Sequence, residues 1–92
     1  MSNITATPRV LTARDRAILA AVADGRAELT CSREPDLFVD GLCCCDQTSA
    51  HRLATGGLIA GATPGRPGSR VRAVLTEAGV TTLASDEHRT LP

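Results

Sequence analysis

The chain predicts a small α+β domain of about three helices with a short antiparallel β-hairpin, and three observations carry that expectation. Segments with helical spacing of apolar residues are opened by a capping residue, and the first two are closed by glycine. Short extended segments stand between and after them. Two of these are separated by Thr63-Pro-Gly-Arg-Pro-Gly-Ser69, which cannot form a regular element and reads as a loop tip with Arg66 at its centre. The 92 residues suffice for one core, which must be aliphatic because Phe38 is the only aromatic.

Residues 1–10 read as a flexible lead-in, and the domain is expected over 11–85. Thr12 is a good N-cap, and Asp15 stands where a capping box places its acid. The helix Ala13 to Ala23 follows, with Ile18, Leu19, Ala21 and Val22 on one side. Asp24-Gly25 ends it, Gly25 being free to adopt the left-handed conformation. Ala27 to Cys31 and Leu37 to Asp40 then read as a hairpin around the turn-rich Ser32 to Asp36. On its second arm Leu37 and Val39 share one face, Phe38 and Asp40 the other. A short helix begun at Pro35 is the alternative, but Leu-Phe-Val-Asp-Gly is a poor helix former.

Asp46 can cap the next helix, 47–56, where its charge suits the N-terminus. Ala50 and Leu53 face inward by spacing. Gln47, Thr48, His51, Arg52 and Thr55 fall outward, with Ser49 at the boundary. Gly56-Gly57 stops this helix and Leu58 to Ala60 begins a strand. Beyond the loop, Arg70 to Leu75 is a strand on which Arg70 and Arg72 share a face. Thr76 caps a last helix, Glu77 to about Ser85, and 86–92 read as a flexible tail.

Charge is distributed unevenly. Ten arginines and ten acids give a net charge of zero, which argues against a general polyanion binder. Yet from Gln47 to Thr76 there are four arginines, one histidine and no acid. From Asp24 to Asp46 six acids face two arginines. A local surplus of cations is what phosphate neutralisation needs, whatever the total charge. The exclusive use of arginine has two explanations, GC-rich coding and bidentate phosphate or guanine contacts, and composition does not separate them.

No leader pattern opens the chain and no apolar run approaches a membrane span, so a cytoplasmic protein without membrane contact is expected. Cys31, Cys43, Cys44 and Cys45 form no disulfide framework and are expected reduced. Cys43, Cys45, Cys31 and His51 could in principle meet around Zn²⁺, but no Cys-x-x-Cys unit is present. Burial of the thiols as small apolar groups is preferred, so neither a metal nor a cofactor is expected. Cys45, beside a helix N-terminus, is the only candidate for a redox-active thiol. With only His51 and His88 and no carboxylate pair or Ser-His-Asp order, no catalytic residues are assigned and an enzyme is not expected. Gly65-x-x-Gly68 lacks the ending of a phosphate-binding P-loop.

Two phrases carry a resemblance. Ser49-Ala-His-Arg-Leu-Ala-Thr-Gly-Gly-Leu-Ile59 resembles a recognition helix and its exit. Val74-Leu-Thr-Glu-Ala-Gly79 resembles the strand-to-helix junction after a wing. In their order, over roughly 11–85, they resemble the winged helix-turn-helix proteins, closest to the MarR-like group of small bacterial or phage regulators. That resemblance implies double-stranded DNA binding in transcription regulation. Thr48, Ser49, His51 and Arg52 fall where such proteins read the major groove, and Arg66, Arg70 and Arg72 where the wing meets the backbone. Hydroxyls and arginines are independently the usual phosphate and guanine contacts. A hairpin replaces the supporting helix of the family, and the long dimerising helices of larger relatives are absent. The second reading is therefore a degenerate winged helix that grips a protein, such as a host regulator, with a homodimer as a further candidate assembly. Single-stranded nucleic acid is disfavoured because Phe38 is the only stacking platform.

Overall fold

The computed structural model describes residues 11–89, the side chains of 87–89 excepted; the expected lead-in and the last three residues lie outside it. Three helices and a five-stranded antiparallel sheet follow in the order α1 (Ala13–Ala23), β1 (Ala27–Thr30), β2 (Leu37–Val39), β3 (Leu42–Cys43), α2 (Gln47–Thr55), β4 (Ile59–Gly61), β5 (Arg70–Leu75) and α3 (Glu77–Arg89). The strands lie in the order β3-β2-β1-β5-β4. The domain is thus α+β as expected, with more sheet than one hairpin supplies. No described helix is long and apolar enough to cross a membrane.

Local chemistry sets the helix ends. The Thr12 hydroxyl accepts from the Asp15 N–H, and the Asp15 carboxylate accepts from the Thr12 N–H, both at 3.0 Å, completing the capping box. Gly25, at φ 79°, turns the chain from α1 into β1. Asp46 caps α2, and the Thr76 hydroxyl accepts from the Gly79 N–H at 3.0 Å at the start of α3. That last helix runs to Arg89, past the end expected near Ser85 and through part of the expected 86–92 tail. Gly79 brings α3 against the carbonyl of Leu58, where any side chain would collide with backbone.

The expected hairpin of β1 and β2 forms, with Ala27, Glu28 and Leu29 opposite Val39, Phe38 and Leu37. The added strand β3 follows from Asp40-Gly41, which takes positive φ at both residues (54° and 82°) and reverses the chain in two residues. Inward residues of the sheet (Ala27, Leu29 and Ala73) pack with Ile18, Leu19 and Val22 of α1 and with Ala50 and Leu53 of α2 in one aliphatic cluster. Burying Leu19, Leu29, Leu37 and Leu58 almost fully contributes about 2 kcal/mol each by area.

The opposite face of the sheet takes the alternate residues. Glu28 stands opposite both Arg72 and Phe38, and Thr30 opposite Arg70, so these five side chains share one face.

Candidate nucleic-acid interface

The start of α2 is fixed to the hairpin by Gln47. Its amide oxygen accepts from the Leu37 N–H at 2.9 Å, while its amide nitrogen donates to the carbonyls of Leu37 (2.9 Å) and Cys44 (2.8 Å). Gln47 therefore does not face outward as its helical position suggested; the Leu37 N–H and the carbonyls of Leu37 and Cys44 draw it in. Asp46 accepts from the Ser49 N–H at 3.0 Å and from its hydroxyl at 2.8 Å. These bonds, the backbone one foremost, with Arg14 and Arg52 nearby, hold the Asp46 carboxyl below its ordinary value of 3.8.

Of the residues expected to read a groove, Thr48 is exposed and His51 half-buried. Ser49 is buried, its hydroxyl spent on Asp46, so it is not part of the outer surface of α2. Arg52 remains 48 % exposed, yet its guanidinium donates at 2.8 Å to Asp15, whose side chain is 4 % exposed. His51 Nε2 lies 3.3 Å from Asp36, and Arg14 lies 3.6 Å from Asp46. Asp40 turns away to Arg26 at 2.9 Å. Each described cation on or beside α2 thus has an acid within reach.

The loop between β4 and β5 is ordered differently. Arg66-Pro-Gly-Ser69 closes a turn in which the Ser69 N–H (3.0 Å) and hydroxyl (2.8 Å) both donate to the Arg66 carbonyl. Pro67 followed by Gly68 at φ 86° is the pairing a type II turn requires. The Cys31 N–H donates to the Ser69 carbonyl at 2.8 Å, and the Gly68 N–H to the Cys31 carbonyl at 2.9 Å, so the loop is tied to the end of β1. Every residue from Gly61 to Arg70 is exposed. Among the described residues Arg66, Arg72 and Arg33 make no ion pair.

Between this loop, the β1–β2 turn and the last turn of α2 lies an open hollow of about 660 Å³. Its floor is Leu29, Ile59 and Val71, and Arg33 is its only charged lining residue. Gly65 and Pro67, either side of Arg66, also line it.

Arg70 and Arg72 share a face, as their alternation implied, but it is the sheet face away from α1 and α2. Buried Ala73 puts its neighbours on the other side. The Arg70 guanidinium sits 4.4 Å above the Phe38 ring and 3.9 Å from Glu28, while Arg72 lies along Gly25. The seven expected residues therefore divide: Thr48, His51, Arg52 and Arg66 belong to the surface around α2 and the loop. Ser49 is internal, and Arg70 and Arg72 lie behind the sheet.

Arg33 was missed, and only its place in a turn leading away from the core could have suggested it. No cluster of three or more potential metal-binding side chains occurs among the described residues, and all four cysteines are free. Only the half-buried Cys44 packs against the core; Cys43 and Cys45 are exposed and Cys31 intermediate, which corrects the expectation of buried thiols for those three. Compared with protein-family models, with curated proteins and with solved structures, the chain gives no match.

Proposed function

We propose that the domain is a winged helix that binds double-stranded DNA, with α2 in the major groove and the 62–69 loop as its wing. Supporting this are a helix, three strands, a second helix, a strand pair joined by an exposed loop that carries Arg66 and no acid, and the closing helix. The observation that carries the reading is the common hollow. The last turn of α2, through Ala54 and Thr55, and the loop bearing Arg66, through Gly65 and Pro67, both border it, and no acid lines it. In this reading Thr48, His51 and Arg52 meet base edges, while Arg66 and Arg33 meet phosphates. Arg70 and Arg72 take no part.

A protein-binding role is the second reading, and a specific observation favours it. Asp15 neutralises Arg52 and Asp36 stands against His51, which lowers the positive potential of α2. Leu42, at the hairpin tip, is 73 % exposed and offers a protein an apolar contact.

Fluorescence anisotropy with a random-sequence duplex, from low to physiological salt, separates the two. DNA binding is expected to fall linearly in log–log form with a slope of roughly two ions, one each for Arg33 and Arg66. Absence of binding even at low salt would sink the DNA reading in favour of the protein-binding one.

A further inference from the structure

The floor of the hollow offers an apolar contact that phosphate recognition leaves unused. A polyanion strand is met by several cations and polar groups, whereas here an apolar floor of Leu29, Ala54, Ile59 and Val71 adjoins a single charged residue. Its volume, about 660 Å³, falls within the range of small-molecule sites. Pro35 in the β1–β2 turn and Pro64 and Pro67 in the β4–β5 loop stiffen two sides of it.

We infer that this hollow binds a small amphipathic monocarboxylate, an alkyl or aryl acid whose apolar body covers the floor while its carboxylate meets Arg33. Charge complementarity fixes the sign and number. Arg33 is exposed, without an ion pair among the described residues, and no Asp or Glu lines the hollow to repel an anion or hold a cation. A planar guanidinium suits a carboxylate through two parallel hydrogen bonds. Hydroxyls of Ser32 and Thr55 at the lining supply further donors for the same oxygens. A neutral amphiphile would gain the floor but not the head. The hollow and Arg33 also figure in the DNA reading, but the titration that tests this site contains no DNA, so its failure and the failure of that reading are distinguishable.

The test is titration of the ¹⁵N-labelled protein with sodium octanoate and, separately, with 1-octanol, both below self-association, followed by amide shifts. Expected are saturable octanoate shifts clustered at Cys31, Ser32, Thr55 and Gly65, with octanol binding about tenfold weaker, the loss of one charge-assisted hydrogen-bonded contact. Arg33→Gln should reduce octanoate to the affinity of octanol and leave octanol unchanged. Because Arg33 is exposed and makes no ion pair, this variant should retain the fold, verified from its unperturbed amide spectrum. Equal binding of acid and alcohol, indifference to Arg33→Gln, or shifts that are scattered or do not saturate would each overturn the assignment.

Discussion

The cations of α2 and those of the 62–69 loop look alike in the sequence and are held in opposite ways. Arg52 is bound to a buried carboxylate and His51 stands against Asp36, so both side chains help to fasten α2 to α1 and to the hairpin. Arg66 occupies the first position of a tight turn, fixed by its own carbonyl, with its guanidinium unengaged among the described residues. Positive charge that stabilises a fold is therefore separated from positive charge available to a ligand, over a distance of one strand. Counting arginines does not reveal which is which.

The contrast can be broken first at Asp15. Asp15→Ala removes half of the capping box and leaves Arg52 without its acid, and is expected to cost about 2–3 kcal/mol in urea unfolding. Arg52→Ala should cost less, about 1–2 kcal/mol, because Asp15 keeps its bond from Thr12 while the arginine half-exposed to water loses little. The double variant should cost less than the sum of the two. Additive losses would show that the pair is not coupled and that α2 is not anchored by it.

A smaller effect is expected from pH. The folded Asp46 carboxyl is held below its ordinary value of 3.8 by the Ser49 N–H and hydroxyl. Its contribution to stability is therefore complete above about pH 4 and is lost as pH falls from there through the lower folded value. In Asp46→Asn that part of the acid sensitivity should disappear, since the amide does not titrate. An unaltered stability profile between pH 5 and about pH 2 would refute the role given to this cap. Smallest of all, Arg66→Ala should change stability by less than about 0.5 kcal/mol, as expected for an exposed side chain without partners.

What could be read in advance was local. The capping box at Thr12 and Asp15, the cap at Asp46, the stop at Gly25 and the β1–β2 hairpin all rest on residues within a few positions of each other. The Asp15–Arg52 pair spans 37 positions and rests on the packing of α1 against α2, which periodicity does not supply. Strand alternation placed Arg70 and Arg72 together, but only the burial of Ala73 decides that this face is turned away from α2. The strand β3 had a local signal in Asp40-Gly41 flanked by apolar residues, the usual mark of a two-residue hairpin, and could have been foreseen. Gln47 could not, because its pull inward comes from carbonyls and an N–H whose positions the hairpin sets.

The most direct test of the division between the two surfaces is the salt dependence of duplex DNA binding by Arg66→Ala beside Arg70→Ala. Binding of random-sequence DNA by Arg66→Ala should weaken for all sequences alike, with the log–log slope reduced by about one ion, while Arg70→Ala retains the original slope. Equal loss from both variants, or loss from Arg70→Ala alone, would contradict the assignment of DNA to the α2 side of the sheet.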